Sequence, residues 1–140
     1  MRRAGESLQL QLHLPVSAPD GTVKTLRVLV DTGAQINLVR DGLFSMKDVR
    51  KRLQFASADG SSMRGGDKVQ TLSLTLHPPK TQGEPLPDAP TNSFELKDRF
   101  WNADIRADII LSYPSLLKHN LGVLPHRGCL VREPARSEER

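Results

Sequence analysis

The clearest pattern in the chain is a strict alternation of apolar and polar residues in "LQLQLHL", residues 8–14. Such a period of two is typical of a β-strand with one buried face. The next segment, "PVSAPDGT", supplies turn residues that end in Asp20-Gly21. The following segment, "VKTLRVLV", becomes wholly apolar toward its end, as a strand entering a core does. The pattern predicts a hairpin whose second strand leads into Asp31.

Further strands are predicted downstream. The segment "LQFASADGSSMRGGDKVQTLSLTL" indicates two strands joined by a small, Gly- and Ser-rich tip, and therefore a long hairpin. The segment before it, "INLVRDGLFSMKDVRKR", has mixed spacing and predicts a short strand followed by a loose turn or helix.

The last third of the chain indicates short elements. The segments "FELKDRFWNADI", "ADIILS" and "GCLVRE" predict three strands, the second of them buried, and "SLLKHN" predicts the one clear short helix. The pattern as a whole predicts an all-β domain over 8–131, between a tail at 1–7 and a charged tail at 132–140. A segment with five prolines and no periodicity, 77–93, predicts a surface loop or insertion.

Composition narrows the classes of partner. The net charge is +4, but the basic residues are scattered or mixed with acids, which argues against nucleic acid as a main partner. The single cysteine, Cys129, excludes an intrachain disulfide and a multi-cysteine zinc site, and favours a reducing, cytoplasmic setting. The four histidines lack the spacing of a metal site, so neither a metal nor another cofactor is expected. No apolar run approaches the roughly 18 residues of a membrane span.

Asp31 is the candidate for chemistry because a carboxylate at the end of a buried strand must be neutralised, paired or reactive. Two carboxyl groups that share one proton can act as base and acid in cleavage of an amide bond. The chain has one Asp-Thr-Gly, so the second carboxyl must come from Asp31 of another copy, across a two-fold axis.

The residues after Asp31 suit such an axis. Thr32 offers a hydroxyl, Gly33 permits close approach of two main chains, and Ala34 keeps the turn small. The alternative is an ordinary turn, because Asp and Gly are common turn residues. Asp20-Gly21, which no apolar strand precedes, is such a turn, and this difference favours chemistry at Asp31.

Three blocks resemble the retropepsins, the homodimeric aspartic proteases of retroviruses and long-terminal-repeat retrotransposons, with the gypsy-type enzymes the most similar. "LVDTGAQINLV" resembles the catalytic strand and turn, and "ASADGSSMRGG" resembles the flap. "DIILSYPSLLKHNLGVLPHRGCL" resembles the family's C-terminal pattern of an apolar strand, a short helix and a last strand.

The resemblance implies a closed barrel with a flap hairpin and one short C-terminal helix. It also implies a homodimeric aspartic endopeptidase that acts on polypeptides, in this case its own retrotransposon polyprotein. The roles it implies are Asp31 as the catalytic carboxylate, Thr32, Gly33 and Ala34 as the active-site turn, and Gln35, Ala58, Asp59, Gly60, Ser61, Ile109, Ile110 and Leu111 as substrate-binding residues.

Two positions depart from the family pattern: Ser112 replaces a Gly and Ser115 replaces a common Trp. If the Gly reflects a positive φ or a close backbone approach, Ser112 is strained; otherwise the chain has ordinary strand geometry there. The departures also leave open a second function, a weakly active or inactive retropepsin-like module for dimerisation or peptide binding.

Overall fold

The computed structural model describes residues 9–54, 64–77, 93–124 and 129–132. In these ranges nine strands and one helix follow one another along the chain. They are β1 (Gln9–Ser17), β2 (Val23–Asp31), β3 (Asn37–Arg40), β4 (Lys47–Asp48), β5 (Gly65–Leu76), β6 (Phe94–Ala103), β7 (Ile109–Ser112), α1 (Tyr113–Lys118), β8 (Leu121–Leu124) and β9 (Cys129–Arg132).

The large sheet closes on itself. Its strand order is β1-β2-β7-β3-β6-β5-β4, and a further pairing of β1 with β5 completes a ring of six strands, with β4 attached outside it. Strands β8 and β9 form a separate antiparallel pair. Closure of the ring gives β1 and β5 a strand partner where an open sheet would leave edges.

The core lies inside this ring. Alternate residues of β1 and β2 point inward, so that Leu12, Leu14, Val28 and Val30 are buried while the residues between them are more exposed. Phe100 of β6 is fully buried in the same cluster. The alternation in the sequence is therefore the direct cause of the hairpin, since one face of each strand removes its apolar surface from water.

Asp108 links β2 and β3, the two strands that flank β7. Its buried carboxylate accepts hydrogen bonds from the Arg27 N–H at 2.8 Å and from Arg40 Nε at 2.9 Å. Its own N–H donates to the Arg27 carbonyl, and its carbonyl accepts from the Arg40 N–H. Burial opposes ionisation, but these hydrogen bonds and the two guanidinium charges outweigh it, so that the pKa of Asp108 lies below its usual value.

Asp108 is expected to make stability depend on pH in the acid range. Because its pKa is lower in the folded state, its contribution is complete above the ordinary value of 3.8 and is lost as pH falls through that value toward the folded pKa. We expect Asp108→Asn to be less stable than the parent at pH 7 and to lose less stability on acidification. Urea unfolding of both proteins across the acid range is the measurement. Parallel stability curves would show that Asp108 is not a source of the dependence.

A second buried polar residue organises the start of β5. Asn102, 2% exposed, accepts three backbone hydrogen bonds at its Oδ1, from the N–H groups of Gly66, Asp67 and Lys68, at 2.9 to 3.1 Å. Gly65 has a φ of +123°, and a Cβ there would lie 2.5 Å from the Asn102 carbonyl oxygen. The bulge between Gly65 and Val69 thus needs a glycine and a side-chain amide together.

Most sequence-based element predictions are confirmed. The predicted all-β architecture, the first hairpin and the strands around residues 70, 98, 110 and 130 are present. In the segment 36–52 the structure contains β3, turns and β4, so the turn alternative is correct and the helix alternative is wrong. The short helix exists but begins at Tyr113 rather than Ser115, and β8 was not predicted. The predicted flap tip, 58–61, and most of the Pro-rich segment lie outside the described residues.

Candidate active site

Asp31 is the last residue of β2, at the end of the hairpin opposite the Ala18–Thr22 turn. It pairs with Gln9 of β1 on one side and with Ser112 of β7 on the other. The apolar residues before it are buried in the core, whereas Asp31 itself is only half-buried. The buried strand therefore delivers a carboxylate to the surface at a fixed position.

Two hydrogen bonds orient the carboxylate. Oδ1 accepts from the Gly33 N–H at 2.9 Å, and Oδ2 accepts from Gln9 Nε2 at 3.1 Å. The first is an Asp-turn bond to a backbone group two residues later, which holds the side chain over its own turn. The carboxylate is thus oriented while it remains accessible, as a group that must act on a substrate requires.

The turn after Asp31 is fastened to helix α1. The Ala34 N–H donates to the Asp31 carbonyl at 3.1 Å, and the Tyr113 N–H donates to the Ala34 carbonyl at 3.1 Å. Thr32 and Ala34 are half-buried, whereas Gly33 is exposed. A second chain can therefore reach the main chain at Gly33 without meeting a Cβ.

The other predicted substrate-binding residues differ in how far they are exposed. Gln35 is exposed beside the active-site turn, and Ile110 is half-buried on β7. Ile109 and Leu111 are only 1% and 0% exposed, so their side chains support the site from the core. The prediction that these two also line a pocket is wrong within one chain, because β7 alternates and turns only Ile110 away from the core. Ala58, Asp59, Gly60 and Ser61 lie outside the described residues.

Ser112 adopts ordinary strand geometry, with φ −82° and ψ 162°. Its N–H and its hydroxyl both donate to Asn37 Oδ1, at 2.9 and 3.0 Å, and its Oγ accepts from the Ser115 N–H at 3.3 Å. It is therefore the N-cap of α1, which explains why the helix begins earlier than predicted. Of the two alternatives for Ser112, the positive φ is wrong and ordinary strand geometry is correct.

Ser115 is also buried and hydrogen-bonded. Its hydroxyl donates to Asp98 Oδ2 at 2.7 Å, and His119 Nε2 lies 3.1 Å from the same oxygen. Lys118 Nζ approaches Asp98 Oδ1 at 3.7 Å. Both departures from the family pattern thus lie in one polar chain, which runs from Asn37 through the two serines to Asp98.

Asp98 is charged within this chain. Burial raises its pKa, but hydrogen bonds from the Ser115 hydroxyl and the Arg99 N–H oppose that effect. The contacts with His119 and Lys118 act in the same direction, so the pKa of Asp98 lies below its usual value. A charged acceptor strengthens the hydrogen bonds that it receives.

Ser112→Gly is expected to destabilise the fold by about 1–3 kcal/mol, because glycine removes the helix cap and one donor to Asn37. Glycine also adds freedom to the unfolded chain, but alanine is the poorer N-cap residue, so Ser112→Ala should be about as damaging. Thermal unfolding at matched concentration measures both. A Gly variant as stable as the parent would mean that the cap and the Asn37 contact contribute nothing.

Gln9, Asn37 and Asp98 were not identified from the sequence. A signal existed for Gln9, because a turn centred on Asp20 places residue 9 opposite residue 31 in an antiparallel hairpin. Asn37 and Asp98 carry no comparable local signal, since the partners of Asn37 lie on β6 and β7 and those of Asp98 lie on helix α1 or at its end.

The residues that the structure describes show neither a metal-binding group nor a membrane-spanning helix. Within the described ranges, His, Cys, Asp and Glu side chains form no group of three or more that could hold a metal ion. The described helix, α1, spans six residues, and nothing in the same ranges forms an apolar helix of membrane-spanning length.

Comparison with known proteins supports the fold. No protein-family model matches the sequence, and no curated protein matches it. Among solved structures, the chain is similar to the crystal structure of the retroviral protease-like domain of Ddi1 from Leishmania major. The TM-score is 0.55 at 16% sequence identity, over 90% of this chain and 90% of that chain. The closed, all-β fold is thus retroviral protease-like, as the sequence predicted.

Proposed function

We propose that this chain is an aspartic endopeptidase that is active as a homodimer, with Asp31 of each copy in one shared site. The observation that carries the proposal is the placement of Asp31: a half-buried carboxylate, oriented by the Gly33 N–H, at the end of a buried strand in a retroviral protease-like fold. An aspartate that only forms a turn does not require a buried strand before it.

The need for a dimer follows from the chemistry. One carboxylate cannot activate water and protonate the carbonyl oxygen at the same time, and the chain has one Asp-Thr-Gly. A two-fold axis beside exposed Gly33 would bring the two Asp31 carboxyls together. Like charges about 3 Å apart cannot both ionise, so the pair would hold one proton between them.

The proposed reaction proceeds by general acid–base catalysis. The ionised Asp31 takes a proton from water as the water oxygen attacks the scissile carbonyl carbon, and the protonated Asp31 of the other copy donates its proton to the carbonyl oxygen. Collapse of the tetrahedral intermediate then breaks the C–N bond, with a proton passed to the leaving nitrogen. Neither a metal nor a cofactor is required by this scheme.

The biological setting is a further part of the proposal. The three blocks that resemble gypsy-type enzymes support a protease that processes its own retrotransposon polyprotein in the cytoplasm. The substrate would be an extended polypeptide, with Gln35 and Ile110 among its contacts and with residues 58–61 closing over it.

A cleavage assay tests the proposed activity. Unfolded polypeptides are incubated with the protein at a series of enzyme concentrations, with and without a peptide mimic that carries a hydroxyl at the scissile position. We expect cleavage that the mimic inhibits, with specific activity rising with enzyme concentration as dimers form. Cleavage that is insensitive to the mimic would contradict the proposal.

The second candidate function is a weakly active or inactive module for dimerisation or peptide binding, suggested by Ser112 and Ser115. Both serines are 2–3% exposed and hydrogen-bonded, so the packing accommodates them without leaving an unpaired polar group. The two serines therefore give no reason to prefer the module. Binding of the mimic without any cleavage would favour the module.

A further inference from the structure

A pocket lies directly beside the active-site turn, separate from Asp31. It has a volume of about 220 Å³ and lies between the turn, strand β6 and helix α1. Ile36, Trp101 and Pro114 contribute apolar walls, and Gln35 lies at the edge nearest the turn. A pocket of this size holds one amino-acid side chain rather than a larger ligand.

The floor of the pocket has its polar groups already engaged. Asn37 accepts from Ser112 at Oδ1 and donates to the Arg99 carbonyl at 3.2 Å. Ser115 donates to Asp98. A ligand therefore gains little by hydrogen bonding to the floor, and the groups at the mouth must decide which side chain enters.

The mouth is positively charged. Arg99 and Lys118 line this pocket and also a neighbouring cavity of about 500 Å³, to which Lys97 adds a third cation. Arg99 and Lys97 are exposed, and neither forms an ion pair within the part of the chain that the structure describes. The cations thus face solvent with charge available to a ligand.

Asp98 does not offset this preference for an anion. Among the described residues it is the only acid lining the pocket, and it already receives hydrogen bonds from Ser115, His119 and the Arg99 N–H. Its other neighbour is Lys118. A basic ligand would compete with all these donors, whereas an acidic ligand meets Arg99, which forms no ion pair among the described residues.

We infer that this pocket is a substrate subsite that selects an acidic side chain, Asp or Glu, at a position outside the residues flanking the scissile bond. The inference rests on the proposed endopeptidase function, because Gln35 and Ile36 connect the pocket to the turn that holds Asp31. Arg99 and Lys118 are the specificity-determining residues. Lys97 adds positive charge further along β6, in the neighbouring cavity.

The test uses a set of peptides that share one cleavage sequence. In each peptide a single Glu, or Gln as its neutral counterpart, is placed at successive positions outward from the scissile bond on both sides. We expect one Glu position to raise kcat/KM about fivefold over Gln at the same position, the size expected of a partly exposed charge pair. The gain should shrink at high salt.

Charge reversal identifies the residues responsible. Arg99→Glu should abolish the Glu preference and favour Lys at the same position. Lys24→Glu is the matched control, since this exposed lysine lies on β2 near the opposite end of the hairpin from Asp31. The control should retain the Glu preference.

Binding separates failure of the inference from failure of the proposed function. The same peptides are titrated into Asp31→Asn, and their affinities are measured by fluorescence anisotropy. Tighter binding of the Glu peptide that Arg99→Glu removes would support the subsite even in a chain that cleaves nothing. Equal kcat/KM and equal affinity for Glu and Gln at every position would overturn it, as would a Glu preference that survives Arg99→Glu.

Discussion

Asp31→Asn is expected to lower kcat/KM for peptide cleavage by a thousandfold or more, to within about the assay background. The amide keeps the shape of the carboxyl group but can neither share a proton with a second Asp31 nor remove one from water. Its oxygen can still accept from the Gly33 N–H, and the amide of Gln9 can rotate to accept from the new NH₂ group. The fold and the dimer should therefore persist.

The measurement combines kinetics with light scattering on the same samples. The variant should have the mass of the parent at each concentration while its cleavage rate is lost. Gln9→Ala is the matched control. It removes the hydrogen bond from Gln9 Nε2 to Asp31 but keeps the carboxylate, and it should retain most of the activity. Cleavage by Asp31→Asn within about tenfold of the parent would refute the aspartic mechanism.

The largest effect on stability is expected from Asn102→Leu, a loss of about 3–5 kcal/mol in the free energy of unfolding. Leucine has nearly the same shape but cannot accept the three N–H groups of residues 66–68. The amide Nδ2 also donates to Asp41 Oδ1 at 3.0 Å and to Asp67 Oδ1 at 2.7 Å. All five hydrogen bonds are lost, and the N–H of buried Gly66 stays away from water.

Gln11→Leu is the matched control for this variant, because it makes the same kind of change on the exposed face of β1. Its effect should stay within about 0.5 kcal/mol. Urea denaturation of both variants at one protein concentration is the measurement. A loss below about 1 kcal/mol for Asn102→Leu would show that water replaces the amide and that the bulge does not depend on it.

Local pattern was sufficient for the first hairpin and for the all-β class. In β1 and β2 one face is buried and the other exposed, and the alternation of Leu with polar residues records this directly. The end of β2 at Asp31 also followed from the sequence, because an apolar run that meets a carboxylate and a glycine has to turn.

The polar chain behind the active-site turn could not be predicted in this way. Asn37 is 75 residues from Ser112, and Asn102 is 34 to 36 residues from the N–H groups that it accepts. The Asn37 contact depends on β3 lying between β7 and β6, and the Asn102 contacts depend on the bulge between Gly65 and Val69, and periodicity along the chain specifies neither. The start of α1 was predicted too late for a second reason. A serine before Tyr113-Pro114 is a signal for a helix N-cap, but the glycine of the family pattern at that position indicated backbone strain instead.

The geometry of the complete proposed site cannot be predicted from the sequence either, because half of the site would come from another copy. The structure of one chain shows the position of the Asp31 carboxylate, its two hydrogen bonds and the exposed Gly33. A second copy would have to contact this surface. The shared carboxyl pair is therefore the central claim.

Mixing the parent with Asp31→Asn tests that claim most directly. The two proteins are combined at equal concentrations, allowed to exchange subunits, and assayed at constant total protein. If catalysis needs both carboxyls, only dimers of two parent chains cleave, and activity should fall to about one quarter of the unmixed parent at the same total concentration. A decrease to about one half, in proportion to the parent fraction, would show that each chain works alone and would contradict the shared site.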